Sequence, residues 1–504
     1  MCNKQNLLYQ YESRAEMGFQ ILKVTLDNTE YEISKLKESE KNLISVMTGK
    51  NGAGKSRILE FITDNFYVSD DFLREYPDNW NVDFNNPKSD YSRNQVVYNA
   101  GTEVCEMQRI SSKIACIFKT SKFIENRYDL FPRRLICLST SPFDRFPLNA
   151  TKKASKESIY SYIGMKNSKR SSSLVSLVSN VLDSMFKEPE KIETNFEVIK
   201  KTLSYLGYGN RILVSYRSNF KLNVTELSRK VVSDILSSVD GPVFNEKRIG
   251  SYEWDEAVEE VYRSIKTLIS ANDWKWKSSF SIPINLSKES FLEDDYVKSI
   301  QVLSMYELFS IKSLKLSMSS DNRKFVDFTQ ASSGEQCLSL MLLGIASQIE
   351  DSSLICIDEP EISLHPEWQE EFIPLIDNLF SKYKGCHFLI ATHSPLIISK
   401  LVGDHCSVLD LDINELVELS NNRGYSSDYQ LATLFKSPGF KNEYLVNESL
   451  DILTTFSKEK DVDEDILQRA NVLINLMEKI DHIDPVYSLI STIKKVVEVV
   501  VNDR

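Results

Sequence analysis

The sequence predicts an α/β protein: a sheet of short buried strands flanked by helices, with a largely helical inserted segment and a helical C-terminal region. Three observations carry this. The apolar run Leu43–Met47 meets a glycine-rich loop, and from Ser56 to Phe66 apolar residues recur at helical spacing (Ile58, Leu59, Ile62). Leu354–Ile357 and His387–Ala391 are two more short apolar runs, of the kind buried on both faces in a parallel sheet. Beyond Leu411 the chain turns helical and acidic.

In chain order, Phe19–Leu26 alternates imperfectly and reads as a strand, Asp27-Asn28 as a turn, and Tyr31–Ile33 as a second strand. Val68–Asn99 is polar, aromatic and proline-bearing, the composition of surface loops. Arg133–Leu138 is a core strand that runs into Ser139-Thr140-Ser141-Pro142. Helical spacing returns over Ser171–Leu206, Val224–Val239 and Trp254–Ala271, and Leu303–Met318 mixes helix with strand. No internal repeat or low-complexity linker is visible.

The bulk composition narrows the class. Of 504 residues, 42% are hydrophobic and 26% charged, the balance of an ordinary globular chain. No apolar run approaches the ~18 residues that span a bilayer, and the start lacks the apolar core of a secretory signal, so a cytoplasmic protein without a membrane partner is expected. Eight scattered cysteines with no CxxC pair fit a reducing compartment. Cys386-His387 and His405-Cys406 have the spacing of no standard zinc site. The net charge of −12 argues against a surface that grips nucleic acid all round, but it is uneven. Thr151–Lys230 carries 15 Lys/Arg against 7 Asp/Glu, a net of +8, while Asp404–Arg504 carries 10 against 19, a net of −9. A basic middle suits a polyanion, and an acidic end suits a basic partner.

Four motifs carry chemistry. Gly49-Lys50-Asn51-Gly52-Ala53-Gly54-Lys55-Ser56 matches GxxxxGK[ST] in full, between a strand and a helix. Its glycines let backbone N–H groups turn inward around phosphates; Lys55 brings a charge to the outer phosphates, and the Ser56 hydroxyl suits Mg²⁺. Leu354–Pro360 is an apolar strand ending in two carboxylates, Asp358 to hold Mg²⁺ through water and Glu359 to polarise an attacking water. His393 follows a third strand, 34 residues beyond Glu359, near the phosphate edge. Ser332-Ser333-Gly334-Glu335 opens an apolar helix and forms an anion-binding N-terminus; in isolation the same residues would read as a serine cap.

In this order the four pieces resemble the ABC-type ATPase head (a mixed sheet flanked by helices) shared by SMC proteins, RecF and the OLD-like ATPases of phage defence. The motif coverage spans residues 18–60 and 325–400. The resemblance implies ATP and Mg²⁺ as cofactors. It also implies a homodimer with ATP sandwiched between two heads, where the signature-like Ser332, Ser333, Gly334 and Glu335 complete the facing site. Glu361–Pro366 is similar to a D-loop. Two departures stand out. Ser332 and Glu335 replace the usual leucine and second glycine, and no glutamine follows Leu138, where Ser141 or Asp144 is left to take the metal-facing role.

The gap of 276 residues between Ser56 and Ser332 is too long for a transporter head, and its prolines break the heptads of long coiled-coil arms. It therefore reads as a compact inserted lid or arm. The expected division is residues 1–150 and 301–410 for the two parts of the head, 151–300 for the mainly helical insert, and 411–504 for an acidic helical region contacting partners or subunits. Asp461-Val462-Asp463 lacks the glutamate-bearing strand of a TOPRIM nuclease, and no HNH constellation is present. The motif wording resembles Septu-type and retron-associated PtuA ATPases of antiphage defence. That resemblance implies a slow or regulated ATPase, possible larger assemblies, and control of a separate HNH nuclease subunit, with nucleic acid or a retron RNA–DNA hybrid as a further candidate partner. A RecF-like repair clamp without a nuclease partner is the alternative.

Overall fold

The computed structural model describes residues 18–37, 41–75, 94–101, 103–109, 116–120, 127–147, 158–164, 189–218, 227–238, 251–272, 279–286, 295–306, 308–418, 432, 441–458 and 464–502. Of the helical expectation over Ser171–Leu206, residues 171–188 fall outside the described residues. The first strands are β1 (Phe19–Leu26), β2 (Thr29–Glu32) and β3 (Leu43–Thr48), followed by α1 (Lys55–Glu75). Next come β4 (Gln95–Ala100), β5 (Glu103–Arg109), β6 (Cys116–Thr120), β7 (Leu135–Ser139) and β8 (Tyr160–Gly164). The middle holds α2 (Pro189–Tyr205), β9 (Tyr208–Ser218), α3 (Arg229–Ser238), α4 (Ser251–Asn272), β10 (Ser279–Asn285), α5 (Asp295–Met305), β11 (Phe309–Met318) and β12 (Phe325–Asp327). After it come α6 (Ser333–Gln348), β13 (Leu354–Asp358), α7 (Pro366–Leu379), β14 (His387–Ala391), α8 (Pro395–Ser399), β15 (Cys406–Asp410) and β16 (Glu415–Glu418). Helices α9 (Glu443–Lys458), α10 (Glu464–Leu476) and α11 (Pro485–Asn502) close the described chain.

The chain forms two compact units. The first comprises Met1–Ser45, Ser56–Leu364 and Ile376–Ala391; the second comprises Val46–Lys55, His365–Leu375 and Thr392–Arg504. Strand β3 runs through the division. In the first unit β14, β13, β7 and β8 pair in parallel in that order, and Leu43 at the start of β3 donates to Cys386 O. In the second, Leu411 donates to Thr48 O at the end of β3, and β15 pairs antiparallel with β16. The sheet is therefore mixed, and every residue of β3, β7, β13, β14 and β15 is buried. Continuous Val/Ile/Leu/Cys runs satisfy that burial, because parallel strands are covered on both faces.

The structure contains more strand than helical periodicity predicts. The two ends of Val68–Asn99 are secondary structure and not loop: α1 continues to Glu75, and β4 begins at Gln95 within an antiparallel sheet of order β2-β1-β4-β5-β6, while residues 76–93 lie outside the described residues. The inserted segment contributes β9 and β10 to a second antiparallel sheet, β10-β9-β11-β12. The residues there alternate with period two: Ile212, Val214 and Tyr216 point inward between Arg211, Leu213, Ser215 and Arg217. Past Leu411 the chain forms β16 before the helices, which close on a core of Leu445, Ile452, Leu473, Ile490 and Ile493. Among the described residues no helix is long and apolar enough to cross a membrane.

Helix α6 is buried along most of its length, at positions on every side. A Cβ on Gly344 would lie 2.8 Å from Ile163 of β8, so the helix backbone rests directly on the sheet. Its far end is held by Asn195 of α2, which donates from Nδ2 to Ile349 O at 3.0 Å and accepts from the Tyr383 hydroxyl at 2.5 Å.

His387 pins three strands of the first unit. Its Nδ1 accepts from Ile21 N at 3.0 Å, so the ring proton lies on Nε2, 2.9 Å from Ser45 Oγ. Burial pushes this imidazole down to about 3 from an ordinary 6.5. Because the unfolded chain takes up that proton first, the stability His387 contributes is complete above pH 6.5 and is lost as pH falls toward 3. Thermal melts of wild type and His387→Gln are expected to converge over that window, the variant being less stable at pH 7 by roughly 1–3 kcal/mol for its unsatisfied partners.

Candidate functional site

In the second unit, β3 delivers Thr48 to the glycine loop. Gly49, Gly52 and Gly54 have φ of 143°, 86° and 105°. A Cβ on Gly52 or Gly54 would meet nothing within 4 Å, so it is the left-handed backbone and not crowding that demands glycine there. Gly49 is also hemmed in, with Ala53 Cβ at 3.1 Å and Asp412 Oδ1 at 3.3 Å from such a Cβ. Ala53 N closes the loop on Lys50 O at 3.1 Å, and Asn51 and Gly52 are exposed at its tip. The buried Lys55 ammonium reaches back across the loop to Gly49 O at 2.7 Å and Lys50 O at 3.2 Å, and its Nζ lies 3.1 Å from His393 Nδ1. His393 is thus placed at the loop lysine. Asp412, which sequence reading missed, accepts from Lys50 N at 3.1 Å and anchors the loop from the segment after β15. Nothing in a lone acidic residue after a strand marks it for that task.

In the first unit, Ser56 at the start of α1 donates from Oγ to Asp358 Oδ1 at 3.0 Å. Asp358 is the last residue of β13, and Glu359 follows with φ of 50°, its N–H donating to Ala391 O at 2.9 Å. The chain then turns tightly, Ile362 N to Glu359 O and Leu364 N to Glu361 O, with Ser363 at φ of 67°. Burial pushes the Asp358 carboxyl up to about 7; Ser56 opposes this, and the charges of Glu359, Asp144 and Glu361 add to it. A hydroxyl beside a crowded carboxylate suits a divalent cation, which would discharge the cluster. No group of three His, Cys, Asp or Glu side chains forms a metal cage among the described residues. Mg²⁺ bound through one or two protein oxygens, phosphates and water needs no such cage.

Asp144 is buried in the segment after β7. Its Oδ2 accepts from the Tyr162 hydroxyl at 2.6 Å and its Oδ1 from Phe146 N at 3.1 Å. Gly164 leaves the space that the hydroxyl fills, since a Cβ there would lie 2.0 Å from it. Ser141 Oγ, by contrast, accepts from Phe143 N within its own turn. Of the two replacements for the missing glutamine, Asp144 is the one whose charge reaches Asp358. Tyr162, 18 residues further on, could not be linked to it from sequence.

At the opening of α6, Ser332 is the N-cap. Its Oγ accepts from Glu335 N at 3.2 Å, and Ser332 N donates to Glu335 Oε2 at 2.8 Å, a reciprocal capping box. The Glu335 carboxylate is thereby turned onto its own cap. Ser333 lies exposed and Gly334 buried in the first turn. Gln336 Nε2 ties this turn to Phe328 O and Ala331 O at 3.0 and 2.8 Å.

These are the local geometries of a P-loop nucleotide-binding protein: a strand, a left-handed glycine loop and a lysine-serine helix start, with an acidic strand whose aspartate meets that serine. The chain belongs to the AAA_21 family, described as "AAA domain, putative AbiEii toxin, Type IV TA system", whose pattern matches residues 139–399. It is similar to "Retron Vc95 probable ATPase" of Vibrio cholerae serotype O1 biovar El Tor, 22% identical over 434 residues, covering 80% of this chain and 76% of that protein. It also resembles "Retron Ec83 probable ATPase" of Escherichia coli, 28% identical over 87 residues, covering 15% of this chain and 16% of that one. Among solved structures, an SMC head bound to the C-winged helix domain of ScpA matches at 11% identity, TM-score 0.31, covering 81% of this chain and 98% of that one. The Thermotoga maritima SMC head domain matches at 10% identity, TM-score 0.26, covering 78% and 94%.

Proposed function

We propose that the chain is an ATP-binding and -hydrolysing switch subunit of a retron- or Septu-type defence complex, dimerising around ATP and governing a separate nuclease. The observation that carries the ATPase reading is the Ser56–Asp358 hydrogen bond, which joins two motifs 302 residues apart into one metal-ligand pair. Gly49, Asn51, Gly52, Ala53 and Gly54 cradle the phosphates with backbone N–H groups, and Lys55 moves its ammonium from the loop carbonyls onto them. Mg²⁺, once bound, neutralises charge on the phosphates. Ser56 and Asp358 would hold it, and the nearby charge of Asp144 would add to the attraction. Glu359 orients and deprotonates the attacking water, and His393 faces the outermost phosphate. The exposed Ser333 and the first-turn N–H groups of α6 offer an anion site that suits the ATP of a second copy. The defence role is supported by the family match and the two retron-associated relatives. The acidic C-terminal region, residues 411–504, which holds α9–α11, is the surface proposed for partner or subunit contacts, an HNH nuclease subunit among them.

Solution mass tests the two-chain reading. With ATP and Mg²⁺, Glu359→Gln is expected to trap a dimer or larger assembly, while Glu359→Gln combined with Ser333→Arg stays at the mass seen without nucleotide. Equal masses for both proteins, with and without ATP, would reduce Ser333 to part of a helix cap and end the sandwich model.

A further inference from the structure

The sheet β10-β9-β11-β12 has one face packed and one open. Ile212, Val214 and Tyr216 are buried on one face, and α2 contacts β9. The alternate residues give a polar, basic surface. Arg217 and Lys312 are exposed and Arg211 and Lys315 half-buried, while Ser215 and Ser281 meet across the β9–β10 pair at 2.8 Å, exposed. Lys312 occupies the bulge where the β11–β9 register shifts between Ile311 and Ser313. Lys315 lies opposite Leu213 on one side and Asp327 of β12 on the other. Among the described residues none of these four cations makes an ion pair, in a chain that carries 72 acidic residues against 60 basic ones.

Arg211, Arg217 and Lys312 have no acidic residue opposite them among the described strands, while Asp327 stands opposite Lys315; the like charges repel, and an extended polyanion relieves that repulsion. Six residues of β9 separate Arg211 from Arg217, about 20 Å along the strand, a span that meets several consecutive phosphates. Stacking of unpaired bases needs open aromatic faces. Here the Phe325 ring is covered by the Arg211 guanidinium at 5.9 Å. The hydroxyls and cations suit phosphate oxygens, the contacts that fix a duplex in place without reading its sequence. We propose that this open face binds a nucleic-acid duplex through its phosphate backbone, independently of sequence. Strand β12 runs within a few residues into Phe328 and the Ser332–Gly334 turn, and Tyr208 at the start of β9 touches the Phe328 ring at 6.5 Å. A duplex on this face would therefore press on the strand that leads into α6.

The test is fluorescence anisotropy of a labelled duplex of arbitrary sequence across a sodium chloride series, with the full chain and no nucleotide, so that its outcome is separate from the ATPase reading. Each lost phosphate contact removes about 0.9 from the slope of log affinity against log salt. The Arg217→Gln/Lys315→Gln double variant, its fold checked by circular dichroism, is expected to lose about 1.8 of slope and about tenfold or more in affinity. Arg263→Gln, which removes an exposed cation of α4, should match wild type, and the separated strands should bind more weakly than the duplex. A wild-type slope in the double variant, absence of salt-dependent binding, or tighter binding of the separated strands would overturn the assignment.

Discussion

Glu359→Gln is expected to lower kcat for ATP hydrolysis by about 10²- to 10⁴-fold, the contribution of a positioned general base, while ATP affinity stays within a few-fold of wild type. Two features separate Glu359 from its neighbour. It stands beyond the last ladder position of β13, where φ of 50° turns its backbone out of the strand, and its N–H is fixed to Ala391 O. Its side chain is only partly buried, whereas Asp358 is enclosed. The amide keeps the shape and hydrogen-bonding reach of the carboxylate and removes only its basicity. Single-turnover hydrolysis alongside equilibrium nucleotide binding separates the two quantities. Turnover at wild-type rate would move the base elsewhere, and a matching collapse in binding would make Glu359 a structural residue.

Asp358→Asn is expected to stabilise the nucleotide-free protein while abolishing its response to Mg²⁺. The folded carboxyl titrates near 7 against 3.8 for an unhindered aspartate, so the folded state holds the proton more tightly than the unfolded chain. Stability therefore falls as pH rises from about 4 to 7, and above that the full cost persists, an upper bound of about 4 kcal/mol at 1.36 kcal/mol per unit. Asparagine can still accept from Ser56 and carries no charge. The gain in melting temperature should be largest above pH 7 and should shrink as pH falls toward 4, where the wild-type carboxyl is already neutral. Mg²⁺ added in the presence of ATP should raise the wild-type melting temperature further at pH 8 and leave that of the variant unmoved. An asparagine variant that melts below wild type at pH 8 would mean that the ionised carboxylate is stabilised by groups other than a cation.

The strands and loops of the candidate nucleotide site were legible because each is a local pattern: LISVM before the glycines, LICID before Glu359, HFLIA before His393. Their burial in parallel order follows from the same apolar runs. What escaped reading depends on distant partners. Asp412 and Lys50 are 362 residues apart, and Tyr162 meets Asp144 only because β7 and β8 lie side by side. The β10 strand was open to detection, since Ser-Phe-Ser-Ile-Pro-Ile-Asn alternates with period two, yet surrounding helical spacing masked it. Ser332 and Glu335 belong to two patterns at once. Their S-x-x-E spacing is that of a capping box, and the structure realises this one.

Helix α6 is fixed firmly at its C-terminal end. Ile349 is moored to Asn195, and Gly344 bears on Ile163 with no side chain between them. Eleven residues separate that bearing point from Ser333, about 16 Å of helix at 1.5 Å per residue. A tilt of about five degrees there displaces the serine by about 1.4 Å, half the length of a hydrogen bond. A tilt of α6 about Gly344 would thus be magnified at Ser333, where a difference of that size decides whether an oxygen is reached or missed.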